Sequence, residues 1–185
     1  MEQMTATGTT VRSRGRSQDP VDFQDFALGR GDQLFRTAFL LTAGDAHLAE
    51  DLVQEVLGRM FARWGRLSRI ENPSGYAQTV LVSVFVSQRR KRSSSELPTE
   101  ALAERAGGPA GQEDPALRVT LLTALRQLAP QDRAVLVLRY WEDRSVEETA
   151  AALRLTSTAV RSRSSRALER LRGVLGSGFA EFAEC

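Results

Sequence analysis

The segment from Ser145 to Arg172 carries residue types and a spacing that favour contact with nucleic acid. Between Arg161 and Arg172, five arginines stand against one glutamate, which gives this stretch a net charge of +4. Guanidinium groups bind phosphate oxygens, and they can also donate two hydrogen bonds to the edge of a guanine. The chemistry that this segment predicts is therefore recognition of a nucleic acid, without bond making or breaking.

Capping residues in the same segment predict two short helices joined by a tight turn. Ser145 and Glu148 form a Ser-x-x-Glu capping box, which indicates a helix from 146 to about 154. The turn begins at Leu155, and Thr156 can cap a second helix. A short helix, a tight turn and a basic helix form a helix-turn-helix, whose second helix enters the major groove of DNA.

The second helix is predicted to be amphipathic. On a wheel of 100° per residue its apolar side chains fall on one side and its polar side chains elsewhere. The apolar set is Val160, Ala167, Leu168 and Leu171, and the polar set is Arg161, Ser162, Ser165, Arg166 and Arg170. The alternative at this point is a solvated amphipathic helix within a bundle, because most charge runs are solvated faces.

Composition argues against several other classes of protein. No apolar run reaches 18 residues and the N-terminus has no secretory apolar core, so we expect a cytoplasmic protein without a membrane segment. A single cysteine, Cys185, and a single histidine, His47, supply neither a disulfide nor a Cys/His metal cluster. We therefore expect no metal, no cofactor and no catalytic residues.

The chain divides by composition into two helical parts and three connecting or terminal segments. The N-terminal segment has almost no apolar residues, so we expect it to be a disordered basic tail that either contacts nucleic acid or has no role. The central segment lacks periodicity and has a net charge of −4 between Ser93 and Pro115, which predicts a flexible acidic linker. The predicted fold is all-α, with a tail at 1–19, small helical domains at 20–92 and 115–173, the linker at 93–114 and a C-terminal tail at 174–185.

A helix capped by Asp45 presents two different faces. Its predicted apolar stripe is Leu48, Leu52, Val53, Val56, Leu57, Met60, Phe61 and Trp64. The opposite ridge is Asp51, Gln54, Glu55, Gly58 and Ala62. This acidic and small-residue ridge suits the docking of another helix, although a solvated face produces the same pattern.

The segment from Tyr76 to Arg92 is ambiguous between strand and helix. Its alternating valines favour a strand by propensity. As a helix, however, it has one polar stripe and one core face, and its helical surroundings favour this interpretation. The polar stripe is Thr79, Ser83, Ser87 and Arg90. Further on, Pro115 and Pro130 open two more predicted helices, and the second of these contributes Leu138 and Tyr140 to the core.

Three segments resemble extracytoplasmic-function (ECF) sigma factors, the small bacterial initiation subunits of RNA polymerase that keep only conserved regions 2 and 4. AEDLVQEVLGRMFARW (49–64) resembles their polymerase-binding helix. NPSGYAQTVLVSVFVSQRRKR (72–92) resembles their promoter-melting helix, and LAPQDRAVLVLRYWEDRSVEETAAAL (128–153) resembles region 4. The resemblance implies an alternative sigma factor that binds core polymerase, recognises −35 and −10 promoter elements and helps open the −10 region.

The resemblance also implies a role for individual residues. The clamp helices of the largest polymerase subunit would bind Asp51, Leu52, Gln54 and Glu55. The −10 DNA would contact Tyr76, Thr79, Ser83, Ser87, Arg89, Arg90, Lys91 and Arg92. The −35 DNA would contact Ser157, Thr158, Arg161, Ser162, Arg163, Ser165 and Arg166. Further implied partners are the flap of the second-largest subunit, bound by region 4, and an anti-sigma factor, while the acidic linker would thread the polymerase channel.

Four positions depart from the family pattern. Ser83 replaces the usual asparagine of the −10 pocket and Ser87 a common aspartate or asparagine, so the base preference of the family is not carried over. Arg154 replaces the turn glycine, so we expect a differently built turn. Ser164 replaces a buried leucine, which predicts a more loosely packed second domain.

Two rival interpretations remain at this point. A stand-alone helix-turn-helix regulator with a helical sensory domain would bind DNA without polymerase, and it would leave the acidic ridge without a purpose. An enzyme is less well supported, because neither a phosphate-binding glycine loop nor a nucleophile with its base is present in the sequence.

Overall fold

The computed structural model of the protein describes residues 22–95 and 115–176, with side chains over 22–91 and 116–176. Within these ranges the structure consists of helices and short turns. They are α1 (Phe23–Leu41), α2 (Ala46–Phe61), α3 (Trp64–Leu67), α4 (Pro73–Ser95), α5 (Pro115–Arg126), α6 (Pro130–Leu136), a π-helical segment (Val137–Trp141), α7 (Val146–Leu153) and α8 (Ser157–Leu175). The all-α prediction is confirmed, whereas the tail at 1–19 and most of the linker at 93–114 lie outside the described residues.

The first helical unit packs α1, α2 and α4 around a shared core. Its largest fully buried side chains are Leu41, Leu52, Met60, Leu81 and Phe85. Removing each from water contributes about 1.5–3 kcal/mol. The Asp45 carboxylate accepts a hydrogen bond from the amide of Leu48, so α2 begins where the sequence predicts.

The valine-rich segment with ambiguous propensity forms the helix α4. This helix contacts α1 and α2 and also α6 and α7, so it is covered on more than one side. Leu81 and Phe85 are buried, and so are Gln78 and Val82, which lie four residues apart. The packing of α4 against several other helices outweighs the propensity of its valines to form a strand.

The second helical unit packs α5, α6 and α7 with α8. Pro130 stands in the first turn of α6, where its missing amide hydrogen costs nothing. The chain then continues as the π-helical segment, which rotates the residues that follow. Tyr140 and Trp141 are therefore 57% and 47% exposed, and the expectation that Tyr140 is a core residue is wrong.

Two other expectations about apolar residues are corrected by the structure. Phe61 is 67% exposed because it lies one residue, and so about 100°, beyond the buried Met60. Leu175, predicted to lie in the C-terminal tail, is the last residue of α8 and is buried. It extends the buried side of that helix by one turn from Leu171.

Candidate nucleic-acid interface

The helix-turn-helix is built from local capping interactions. The Ser145 hydroxyl accepts a hydrogen bond from the amide of Glu148 at 3.0 Å, and the Glu148 carboxylate accepts one from the amide of Ser145 at 2.8 Å. The hydroxyl of Thr156 accepts from the amide of Ala159 at 3.1 Å and starts α8. Both predicted caps are therefore present, one at the start of α7 and one at the start of α8.

Arg154 closes α7 in the left-handed backbone region, with φ 54° and ψ 46°. This is the conformation that glycine ordinarily adopts after a helix, and it costs another L-residue about 1–2 kcal/mol. The amide of the next residue, Leu155, bonds to the carbonyl of Ala150 at 2.9 Å. The expectation that an arginine here gives a differently built turn is wrong, because Arg154 takes the glycine-like conformation.

One side of α8 is buried and the other is open to solvent. Val160, Ala167 and Leu171 are buried. Thr158, Arg161, Ser162, Ser165 and Arg166, all predicted to contact DNA, are exposed, and Ser157 is half-buried. The first three turns of α8 therefore present a basic, hydroxyl-rich surface.

The arginines of α8 differ in their partners. Arg163 is half-buried and donates to the Asp132 carboxylate of α6 at 2.6 Å. Arg161 pairs at 3.3 Å with Glu147, and both side chains are more than half exposed. Arg166 donates to the carbonyl and hydroxyl of Ser162 on its own helix. Arg163 thus ties α8 to α6, whereas Arg161 and Arg166 remain at the surface.

Two buried hydroxyls in this domain have no hydrogen-bond partner among the described residues. They belong to Ser164, 8% exposed on α8, and Thr149, fully buried on α7. The position of Ser164 is thus buried, as the family pattern implies. A buried hydroxyl without a partner costs about 1–3 kcal/mol.

The proposed −10 residues of α4 divide into two groups. Tyr76, Thr79 and Ser83 line a cleft of about 510 Å³ between the two helical units. Ser87 and Arg89 are half-buried farther along the helix, and Arg90 and Lys91 are exposed there. The side chain of Arg92 lies outside the described side chains.

Residues that were not predicted also line this cleft. Arg59 and Arg63, four residues apart near the end of α2, lie on one wall, and Ala151, Ala152 and Arg154 of the second unit lie on another. The sequence shows these two arginines as a basic pair with a spacing of four residues, and this spacing was the signal that could have identified them. The contribution of α7 to the cleft had no such signal, because it depends on how the two units pack.

The ridge on α2 is exposed at Asp51 and Gln54 and half-buried at Glu55. Glu55 pairs with Arg59 and accepts a hydrogen bond of 2.6 Å from the Gln88 amide of α4. Leu52 is fully buried, so its side chain supports the ridge from the core and is not available at the surface. The ridge and α8 are thus separate surfaces on different units.

Two charged groups have shifted pKa values with clear causes. The pKa of Glu148 is lowered, first by the hydrogen bond from the Ser145 amide and then by the Ser145 hydroxyl. The pKa of Arg133 is lowered to about 10, chiefly by burial and then by the nearby charges of Arg89 and Arg126. Neither group lies in an arrangement that could perform catalysis, and no cluster of metal-binding side chains occurs among residues 22–91 and 116–176.

No helix in the described ranges is long and apolar enough to span a bilayer.

Both halves of the chain match regions of one protein family. Residues 30–95 match the family described as Sigma-70 region 2, and residues 118–171 match Sigma-70, region 4. The RNA polymerase sigma-E factor of Streptomyces coelicolor is 38% identical over 152 residues, which cover 82% of this chain and 85% of that protein. The ECF RNA polymerase sigma factor SigE of Mycolicibacterium smegmatis is 30% identical over 190 residues, 96% of this chain and 71% of that protein.

A solved structure agrees with these matches. The sigma factor RpoE of Bartonella quintana, in complex with the anti-sigma factor NepR, superimposes with a TM-score of 0.68 and 28% sequence identity over 84% of this chain and 98% of that chain. The helix-turn-helix, the two matched regions and these relatives all indicate the same conclusion. The chain belongs to the extracytoplasmic-function family of RNA polymerase sigma factors and acts in promoter-specific initiation of transcription as an alternative sigma factor.

Proposed function

We propose that three separate surfaces of this sigma factor bind the −35 element, the −10 strand and core polymerase. The exposed side of α8 reads the −35 element, the polar side of α4 holds the opened −10 strand, and the ridge on α2 binds core polymerase. The observation that carries the proposal is the division of α8 into a buried side, with Val160 and Leu171, and an exposed side with Arg161 and Arg166. A helix held on one side leaves its other side free to enter the major groove.

The −10 surface draws support from the residues around the cleft. Tyr76 offers an aromatic ring for stacking on an unpaired base, and Thr79 and Ser83 offer hydroxyls. Arg59 and Arg63 add positive charge for the backbone of the same strand. We infer that these two arginines belong to the −10 surface together with Arg89, Arg90, Lys91 and Arg92.

The polymerase surface draws support from the exposure of Asp51 and Gln54 on a helix that is capped and packed on its other side. Acidic residues on a rigid helix complement a basic helix of a partner. Leu52 contributes by holding the ridge in place from the core. We further propose that the second domain contacts the flap of the second-largest subunit.

We also propose that an anti-sigma factor binds this chain, because its structural relative was solved with such a partner. The protein would act in the cytoplasm at the chromosome, and it would perform no catalysis of its own.

The experiment that tests the function is in vitro transcription with purified core polymerase and fragments of the source genome, followed by mapping of the start sites. We expect discrete start sites that share two upstream elements, and none when this chain is omitted. Specific DNA binding without any start sites would favour the stand-alone regulator.

A further inference from the structure

An acidic side chain lies beside the arginines of the helix-turn-helix. Glu147 is the second residue of α7, and its carboxylate pairs at 3.3 Å with the guanidinium of Arg161 on α8. The side chains of Glu147 and Arg161 are 68% and 62% exposed, so the pair is open to solvent. The pair therefore bridges the two helices on the surface that we propose to face the −35 element.

The fold itself does not depend on this pair. The capping box of α7 is formed by Ser145 and Glu148, without Glu147. Beneath the surface α7 packs on α8, and Leu153 and Val160 of these helices are buried. An ion pair between exposed side chains contributes little to stability, because solvent screens it. Glu147 is thus available for a role at the surface.

A carboxylate at this place has a cost for DNA binding. In a helix-turn-helix the first helix crosses the DNA backbone while the second enters the major groove. The backbone amides at the start of a helix attract phosphates. Glu147 adds a negative charge to the first turn of α7, and this charge repels the phosphates of every DNA sequence. A side chain that only strengthened DNA binding would not be acidic here.

The same carboxylate restricts the contacts of Arg161. An unrestrained arginine on a DNA-binding surface can bond to a backbone phosphate, and such a bond carries no sequence information. In the structure one terminal nitrogen of the Arg161 guanidinium donates to Glu147. A guanidinium has five N–H donors, and two of them suffice for the edge of a guanine. Arg161 thus keeps the donors that base recognition needs, while the acid competes with phosphates for the others.

Arg166 is positioned in another way. Its guanidinium donates to the carbonyl and the hydroxyl of Ser162 on its own helix, at 3.2 and 3.1 Å. Glu147, by contrast, contacts Arg161. A role of Glu147 that acts through this contact therefore affects the base positions read by Arg161 and not those read by Arg166.

We propose that Glu147 is a positioning residue for −35 recognition, which holds the guanidinium of Arg161 for a base edge and weakens binding to the DNA backbone. This inference rests on the proposed role of α8 as the reader of the −35 element. Glu147 lowers the affinity for all DNA but raises the ratio of specific to non-specific affinity. That ratio is the quantity that selects a promoter among many competing sites.

Glu147→Gln, which keeps the side-chain size and removes the charge, tests this role in holoenzyme against a library of −35 variants. We expect discrimination to fall about two- to fivefold at the same one or two base positions where Arg161→Ala loses it. Binding of a mixed-sequence duplex should tighten, and its salt slope should steepen by about one unit, because Arg161 then pairs with a phosphate. Asp143→Asn removes the same charge from an exposed residue of the same domain outside the pair, and it should leave both quantities unchanged.

A double-mutant cycle separates positioning from a general effect of charge. In an Arg161→Ala background, Glu147→Gln should no longer alter discrimination, since the side chain through which Glu147 acts is absent. A purely structural role would instead lower stability and reduce activity on all −35 variants alike. Thermal unfolding of Glu147→Gln should therefore match that of the parent.

Two outcomes would overturn the inference and leave the proposed function in place. Unchanged discrimination by Glu147→Gln, beside a clear loss in Arg161→Ala, would show that Arg161 needs no positioning. Additive losses in the double variant would show that Glu147 acts independently of Arg161. A third outcome reaches further: unaltered discrimination in both Arg161→Ala and Arg166→Ala would contradict the −35 role of α8, and the inference would fall with it.

Discussion

The guanidinium of Arg133 donates a hydrogen bond of 2.8 Å to the backbone carbonyl of Leu41, so a side chain of region 4 satisfies the last turn of a helix in region 2. The same guanidinium reaches the carbonyl of Leu128 at 3.2 Å, just after the end of α5. A cation at the carbonyl ends of helices also complements their dipoles. Arg133 is thus a structural residue, unlike the exposed arginines of α8 that we propose to contact DNA.

We predict that Arg133→Met lowers the free energy of unfolding by about 2–4 kcal/mol, because it leaves buried carbonyl groups without a donor. Thermal unfolding followed by circular dichroism measures the change. Arg170→Met, an exposed position on α8, is the control and should change stability by less than about 0.5 kcal/mol. Equal effects of the two substitutions would contradict the structural role of Arg133.

Thr149 and Thr37 offer a matched pair of buried threonines. Thr149 has no hydrogen-bond partner among the described residues, whereas Thr37 donates to Glu142. We predict that Thr149→Val stabilises the fold by about 1 kcal/mol and that Thr37→Val destabilises it by a similar amount. Chemical denaturation of both variants measures the difference. Stabilisation by both would mean that the Thr37 contact contributes nothing.

Local signals made much of the second domain predictable. The Ser-x-x-Glu pattern from Ser145 to Glu148 predicts the capping box of α7, and Thr156 is a favourable N-cap residue directly before α8. Each of these interactions joins residues three positions apart, so the sequence alone contains it. The left-handed backbone of Arg154 was not predictable in this way, because an arginine gives no sign of the conformation that its surroundings impose.

The contacts between the domains were not predictable from periodicity. Gln78 and Glu142 are 64 residues apart, and the sequence around Gln78 does not identify the residue that its amide contacts. The exposure of Tyr140 had a different cause. The π-helical segment breaks the 3.6-residue period from which the core face was extrapolated.

The lowered pKa of Glu148 gives a stability that depends on pH. The pKa of Glu148 is lower in the folded state than its ordinary 4.5. The stabilisation of the fold by the ionised carboxylate is therefore fully present above pH 4.5, and it is lost as the pH falls through the folded-state pKa. We predict that Glu148→Gln is less stable than the parent at neutral pH, and that the stabilities of the two proteins converge as the pH falls through the lowered pKa of Glu148. Glu147→Gln leaves the capping box intact and should show no such convergence.

The ridge on α2 is tested by charge reversal. Asp51→Arg should greatly weaken association with core polymerase while helicity is retained, because the introduced charge would repel a basic partner helix. Glu50→Arg makes the same change at the adjacent exposed residue, which lies outside the ridge, and should have a much smaller effect. Co-purification with core measures both, and unchanged binding by Asp51→Arg would remove the ridge from the polymerase interface.

The recognition helix is tested by comparing two of its arginines in holoenzyme against a library of −35 variants. Arg166 lies on the exposed side, so Arg166→Ala should lose about 1–3 kcal/mol of discrimination at one or two adjacent positions. Arg163 pairs with Asp132, so Arg163→Ala should lower stability and affect all variants alike. If Arg166→Ala weakened every variant equally, α8 would hold the DNA backbone, and discrimination would have to come from Arg161, the neighbouring serines or the shape of the DNA.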